Sequence, residues 1–415
     1  MNKINQMTVI GGGIIGLSAA LRLQSKGVQV LILEKNTIGS GASLGNAGHL
    51  AMEQVYPVAD PSILKTLPKM LLDPLGPLRV DWRYLWHLMP WMLKLVGNMR
   101  PMPFQRIHET LTSMNAEAYP AWEAFIKKWQ LSDLVHIKGS LLVAETEKSL
   151  AKLKKHGQQL CAIGVENEWV SAKNLQEREP AISASQLGGL FYPNTGHVVD
   201  IKELINQLKN KFLLLGGKIE EEMNVKALYK ETNNQVRIVS DEKYFLSNNV
   251  LIACGAYSKK ITEMISRIKI PLDTERGYHL MLPTEKSRLS IPISSADRRF
   301  IMTPMNSGLR LAGTVEFAGL ERPPNMQRAL NLLSLANPMF KQALDTEGNT
   351  PWMGFRPTLP DSLPIIDRKD NVYFAFGHQH LGLTHAPYTA KIIESLFFNK
   401  PPSLNYKNLS IDRFL

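Results

Sequence analysis

The first twenty-odd residues constrain the fold more than any other part of the chain. An apolar run, Met7-Thr8-Val9-Ile10, leads into Gly11-Gly12-Gly13-Ile14-Ile15-Gly16, and Leu17-Ser18-Ala19-Ala20-Leu21-Arg22-Leu23 follows with the pattern of a small-faced helix. Gly11, Gly13 and Gly16 match G-x-G-x-x-G in the strand-turn-helix setting that this motif needs. The first glycine permits the tight turn, the second lets backbone approach a pyrophosphate, and the third lets helix and strand pack closely. Phosphate oxygens would sit at the helix N-terminus, where unpaired N–H groups and the helix dipole favour anions. The next strand, Val28 to Leu33, ends at Glu34, whose carboxylate can accept hydrogen bonds from the ribose hydroxyls of an adenosine. Gly11, Gly13, Ile14, Ile15, Gly16, Glu34 and Lys35 are therefore expected to hold a dinucleotide. The unit alone does not separate NAD from FAD.

The following segment separates them. Between Ile38 and His49 almost every residue is small, including Gly41, Ala42, Ser43, Asn46, Ala47 and Gly48. Small residues allow close backbone approach. We read this loop as running beside the pyrophosphate, ribityl chain and ring of a flavin, which favours FAD.

At 415 residues the chain has room for two interlocked domains. With 44% hydrophobic and 20% charged residues it is too apolar to be disordered. Cys161 and Cys254 form no ligand spacing, so neither a disulfide framework nor a metal site is expected. The first strand begins so near Met1 that no room is left for a signal peptide, and a cytoplasmic protein is expected. No run approaches the ~18–20 apolar residues that span a bilayer. Residues 78–100 hold Trp82, Trp86 and Trp91 among Leu, Met and basic residues, which fits either a surface lying in a membrane interface or a pair of core helices broken at Pro90. The net charge of +11 would attract anionic lipid, nucleic acid or substrate without choosing among them.

No repeat or low-complexity tract interrupts the chain. A mostly helical stretch is expected from about 61 to 130. Short apolar runs predict strands at Gly139–Glu145, Gly188–Tyr192, Asn249–Ala253, Arg310–Gly313 and Asn371–Phe376. Helical spacing of Ile201, Leu204, Ile205, Leu208 and Phe212 predicts a helix over 201–215, and a last helix is expected over about Tyr388–Phe398.

With these blocks in place, the chain resembles the D-amino-acid-oxidase-like FAD oxidoreductases, and within them the bacterial D-amino-acid dehydrogenase branch. The resemblance spans nearly the full length. It rests on Gly11–Gly16 with Glu34-Lys35, on Gly41-Ala42-Ser43 with Gly45-Asn46-Ala47-Gly48-His49, and on Asn249 through Ser258. It rests further on Arg276-Gly277-Tyr278-His279, Arg310 through Glu316, Trp352 through Asp361 and Gly377 through Thr384. It implies an α/β and α+β fold in which a Rossmann-type FAD-binding domain is interleaved with an antiparallel-sheet substrate domain. The FAD domain would comprise 1–80, 195–265 and 345–415, and the substrate domain 81–194 and 266–344. It also implies cofactor contacts at Val225, at the Ala253-Cys254-Gly255 turn, at Gly354, and at His380, Leu381, Gly382, Leu383 and Thr384, with Cys254 a small packed residue.

Amine dehydrogenation moves a hydride from Cα to flavin, so the protein supplies chiefly orientation and electrostatics. An arginine suits a substrate carboxylate because its planar fork pairs bidentately. Arg356 is the first choice, Arg276 with Tyr278 the second; either arginine could instead serve a structural ion pair. His49 and Tyr56 are candidates for the pocket wall or for ordinary packing. His378, His380 and His385 lack accompanying carboxylates, and no metal is expected. The helix entered at His378–Thr384 would turn its N-terminus to the flavin's pyrimidine edge, stabilising the negative charge of the reduced ring.

The expected activity is FAD-dependent oxidative deamination of a D-amino acid to a 2-oxo acid. Electrons would pass to a quinone-type acceptor, with peripheral contact at the cytoplasmic face of the inner membrane. The alternative is a glycine/sarcosine- or hydroxyproline-type amine oxidase using oxygen. Arg276-Gly277-Tyr278 stands where the branch often has Lys-Gly-Tyr, which leaves room for a hydroxyproline-type or bulkier substrate. An RNA-associated flavoprotein is disfavoured because no RNA-binding module is visible, and a non-catalytic flavin-binding protein is the third possibility.

Overall fold

The computed structural model describes residues 6–61, 76–400 and 406–415. Part of the helical stretch expected from about 61 lies outside the described residues.

The glycine motif folds as its local chemistry requires. The strand Met7–Ile10 is fully buried, Gly13 caps the helix Ile14–Gln24 in an extended conformation, and that helix is buried on nearly every side. A helix apolar all round belongs in a protein interior. Ala19 and Ala20 let it pack closely against the C-terminal helix Gly382–Phe397 and the helix Ile201–Leu214.

Around this unit lies a six-stranded sheet in the order Lys218–Glu220, Val30–Leu33, Met7–Ile10, Val250–Ile252, Val372–Phe376, Ile365–Lys369. The first five strands are parallel and the last is antiparallel. Continuous apolar runs such as Val30–Leu33 and Val372–Phe376 suit strands covered on both faces. The sheet thus collects its strands from the beginning, middle and end of the chain.

A second sheet of nine strands runs Thr350–Thr358, Asp273–Leu282, Gly308–Phe317, Phe300–Met305, Ile293–Ser295, Ser140–Ala144, Gly188–Tyr192, Glu168–Ser171, with Leu78–Val80 added beside Gly308–Phe317. It is antiparallel except where Ile293–Ser295 meets Ser140–Ala144 and where Leu78–Val80 joins. Thr350–Thr358 belongs to this sheet, although a boundary at 345 would have grouped it with the six-stranded one. Its alternating pattern gives no clue to which of two sheets it joins; only its pairing with Asp273–Leu282 decides that.

The strands expected from sequence are present with adjusted ends, Gly308–Phe317 being longer than the Arg310–Gly313 core read from its apolar run. Two helices differ. Residues Leu85–Asn98 form one helix that runs through Pro90, not two helices broken there. The last helix begins at Gly382, before Pro387, not near Tyr388. In both cases the proline is the sixth residue of the helix, just past the first turn, so the helix forgoes one intrahelical bond there and continues.

Candidate active site

A cavity of about 1730 Å³ opens where the C-terminal ends of the parallel strands face the nine-stranded sheet. Ligands of open α/β sheets bind at this end of the strands.

At its inner end Gly11 has φ 105, and a Cβ there would stand 2.4 Å from the Ala253 carbonyl oxygen. A Cβ on Gly16 would meet the Gly11 carbonyl oxygen at 2.0 Å, which is the close helix-strand contact foreseen for the third glycine. The helix Ile14–Gln24 has no side-chain cap and no acidic residue in its first turn, so its N-terminus is electrostatically open to an anion. Ile14 N–H donates to Ser43 Oγ at 2.9 Å, tying the small-residue loop to that helix end. Glu34 accepts from the Gly12 and Asn36 N–H groups at 2.6 and 3.0 Å while still lining the cavity. Lys35, lying over the Tyr257 ring at 5.1 Å, lines it as well. These residues fit a dinucleotide: the cradle is closed to any side chain at Gly11, the helix's own first turn carries no acid, and Glu34 stands beside the turn where a ribose would need it.

The loop residues Gly41, Ala42, Ser43, Asn46 and Ala47 form the next part of the wall, with Val225 and Ala253-Cys254-Gly255 opposite. Gly48 stands just behind, at φ 79, bonded through its N–H to Asn46 Oδ1. Sequence reasoning missed what anchors this loop. Arg310 Nη1 donates to the Asn46 carbonyl at 2.5 Å and the Leu44 carbonyl at 3.3 Å, and His279 Nδ1 lies 3.0 Å from the Gly45 carbonyl. The Trp352 ring stacks on His279 at 5.0 Å and passes so close to Gly45 and Gly354 that a Cβ on either would fall within 2.1 Å of it. Three side chains of the nine-stranded sheet thus clamp a loop of the other. Cys254 Sγ–H donates to the Ile10 carbonyl, and burial pushes its thiol up to about 12, which rules out a ready thiolate.

At the C-terminal side, Gly382 and Leu383 line the cavity with His380. Leu381 and Thr384 are buried behind them; Thr384 Oγ1 accepts from Ala51 N–H and its carbonyl from Trp122 Nε1. The helix starting at Gly382 again has no side-chain cap and no first-turn acid. His378 bonds Thr389, His380 bonds Gln54 Oε1 at 2.6 Å and His385 bonds Asn115 Oδ1 at 2.6 Å. Burial lowers His378 and His385, the latter to about 3, while desolvation and the Arg356 charge lower His380, which is exposed at the cavity, to about 4, so all three are neutral near pH 7. Among the described residues no cluster could hold a metal ion.

The two candidate arginines are placed differently. Arg356 lines the cavity with its guanidinium against Gly277; Nη1 donates to the Thr314 carbonyl at 3.3 Å, and it forms no ion pair among the described residues. Burial lowers its pKa and the nearby Glu275 opposes that shift. Arg276 is fully buried away from the cavity, its guanidinium donating to the carbonyls of Ala318, Gly319, Arg322 and Pro323. Its fork is saturated by a loop, which corrects the expectation that it clamps substrate. Tyr278 borders the cavity, but its side chain is buried, the hydroxyl donating to Glu316 at 2.6 Å and accepting from Asn325 N–H. His49 lines the wall beside Gln54, bonded to Ser140 at 3.2 Å, with burial holding it down to about 3. Tyr56 is not among the wall residues and stacks on His108 at 4.5 Å. Gly277, Thr314, Phe355 and Gln54 line the cavity without having been singled out in the sequence. The positive φ that marks Thr314 is invisible before the fold is known.

The family model described as FAD dependent oxidoreductase, DAO, matches residues 6–396. The chain belongs to that family. Its cofactor is FAD, and the glycine-lined inner end of the cavity suits a dinucleotide. Across its whole length the chain is 29% identical to a D-amino-acid oxidase of Bradyrhizobium diazoefficiens, covering 100% of each protein. It is 26% identical to a D-amino acid dehydrogenase of Vibrio cholerae, covering 99% of each. Among solved structures, a glycine oxidase from Geobacillus kaustophilus superposes with a TM-score of 0.76 over 99% of both chains at 18% identity, a likeness of fold.

Proposed function

We propose that this DAO-family protein dehydrogenates a D-amino acid at Cα, giving an imino acid that water hydrolyses to a 2-oxo acid, with electrons passing to a quinone-type acceptor. The observation that carries this reading is Arg356, a half-buried cation on the cavity wall with a backbone carbonyl as its hydrogen-bond partner and no ion pair within 4 Å among the described residues. A partly desolvated cation with donors to spare favours an anionic ligand, and the guanidinium fork matches a carboxylate. FAD, when bound, supplies the acceptor for the hydride that leaves Cα. The chain's own residues bind and orient: Arg356 would take the carboxylate, and neutral His49 and His380 add no positive charge that would repel the substrate's amino group. In this reading the six-stranded sheet serves the cofactor and the nine-stranded sheet the substrate. Full-length relatives named D-amino-acid oxidase and D-amino acid dehydrogenase support the substrate class.

The acceptor reading is supported by the surface around Leu85–Asn98. Trp82 and Trp86 are 70% and 81% exposed, Leu93 and Val96 are exposed beside them, and Arg83, Lys94 and Arg100 flank them. Exposed aromatic and apolar side chains rimmed by cations suit the face of an anionic bilayer. Among the described residues no helix is long and apolar enough to cross a membrane. Oxygen as acceptor, in an amine oxidase of the glycine/sarcosine or hydroxyproline type, is the second reading, favoured by the relative named an oxidase.

The test is anaerobic titration of the FAD-loaded protein with D- and L-amino acids, glycine, sarcosine and hydroxyproline, followed by comparison of quinone-analogue reduction with oxygen uptake. Bleaching of the flavin band by D-amino acids and faster electron transfer to the quinone are expected. Bleaching by no D-amino acid would overturn the substrate reading; preference for oxygen would overturn the acceptor reading alone.

A further inference from the structure

Gly308–Phe317 does not run evenly beside Asp273–Leu282. Gly277 faces Val315 but Tyr278 faces Gly313, so Thr314 is the extra residue of a β-bulge. Thr314 has φ 59. A β-branched residue in the left-handed region is an outlier that persists only where its surroundings hold it. Its surroundings here are the wall of the cavity: Thr314 is 6% exposed, lines the cavity, and its buried Oγ1 meets no hydrogen-bond partner among the described residues.

The bulge has a geometric consequence for one side chain. An extra residue stands outside the regular ladder, and the Thr314 carbonyl accepts instead from Arg356 Nη1 at 3.3 Å. On its other side the guanidinium rests on Gly277, where a Cβ would come within 2.3 Å of Cζ and 2.4 Å of Nη2. Glu275, directly opposite Arg356 in the ladder, acts from a distance to keep the guanidinium charged without forming an ion pair with it. One N–H is therefore tied to a carbonyl and one face of the plane is backed by glycine, which leaves the remaining donors aimed in a fixed direction.

We propose that the Gly277–Thr314 bulge is a seat that orients the Arg356 guanidinium toward a substrate carboxylate, with Gly277 and Thr314 as positioning residues. This rests on the reading of Arg356 as the carboxylate clamp. Affinity gained this way comes from pre-organisation, because the fork no longer loses its freedom when the carboxylate arrives.

The probe is 2-methylalanine, an amino acid with no hydrogen on Cα, which can bind but cannot be dehydrogenated. It is titrated calorimetrically into the FAD-loaded protein beside its carboxamide, which lacks the carboxylate. Gly277→Ala fills the seat, and Thr314→Pro cannot keep a positive φ. Each is expected to weaken 2-methylalanine about tenfold or more while changing the carboxamide less than about twofold. Thr314→Gly and Thr314→Asn, which take positive φ readily, should stay within about threefold of wild type. In an Arg356→Met background the two seat variants should add less than about twofold, because neighbours that act through one group are not additive. A visible spectrum shows whether each variant loads FAD, and either seat variant suffices if the other does not.

Equal weakening of carboxylate and carboxamide, or full additivity with Arg356→Met, would overturn the seat. So would a loss in Thr314→Gly as large as that in Gly277→Ala, which would make the hydroxyl the working group. Equal binding of 2-methylalanine by wild type and Arg356→Met would instead remove the clamp reading, and the seat with it.

Discussion

Glu53 Oε1 lies 3.9 Å from His49 Nε2, and its Oε2 is buried with no hydrogen-bond partner among the described residues. Burial raises its carboxyl from 4.5 to about 8. Between those two values the folded state keeps a proton that the unfolded state has lost, so this group lowers stability progressively as pH rises through that window. Glu53→Gln should therefore melt like wild type at pH 4 and about 2–4 °C higher at pH 8; a gain of equal size at both pH values would show that the proton is not involved. At Gly11 a methyl would strike the Ala253 carbonyl and φ 105 would be strained. Gly11→Ala should cost about 2 kcal/mol or more in thermal stability and weaken FAD uptake, both read by melting and by the visible spectrum. The role of Gly11 was legible because turn, strand and helix are local. That of Arg276 was not: neighbours on a strand face opposite ways, so the side of the strand that meets the cavity decides that Gly277 lines it while Arg276 holds the loop Ala318–Pro323.

The helix Leu85–Asn98 divides between two environments. Leu88 and Trp91 are buried, with Trp91 against Phe317 at 5.3 Å, while Trp86, Leu93 and Val96 face outward. One side of the helix therefore packs inward and the other faces solvent, since one helix has two sides. Trp82→Glu with Trp86→Glu should abolish co-sedimentation with anionic vesicles and leave the melting temperature within about 1 °C, because exposed residues contribute little to folding. Wild-type binding that resists high salt and survives the double substitution would place membrane contact elsewhere or nowhere. Prolines misled the reading of element boundaries at Pro90 and Pro387. A proline near the start of a helix looks the same in sequence as one that ends it, and the difference lies in which carbonyl would otherwise have been bonded.

On the scale of the whole molecule the cavity is walled in part by residues from Ile10 to Ala47, from Met223 to Tyr257 and from Trp352 to Leu383. A ligand that touches all three stabilises only the state in which they are together. FAD at about a hundredfold over its Kd should raise stability by about 2.7 kcal/mol, seen as a melting temperature that climbs with FAD concentration; a melt independent of FAD would contradict a cavity that binds only the folded chain. Much of this architecture was legible in advance, since the glycine turn, the acid at Glu34, the small-residue loop and the apolar strands depend on backbone conformation and burial within a few residues. Those local rules determined that the chain builds a dinucleotide-binding unit and which blocks surround it. Tertiary structure alone decided which sheet Thr350–Thr358 joins, that Arg310, His279 and Trp352 pin the small-residue loop, and that Arg356 faces the cavity while Arg276 does not. The physical reason is that a side chain's partner across 40 to 270 positions is set by strand register and by a single bulge at Thr314, and a shift of one residue reverses which face every side chain meets.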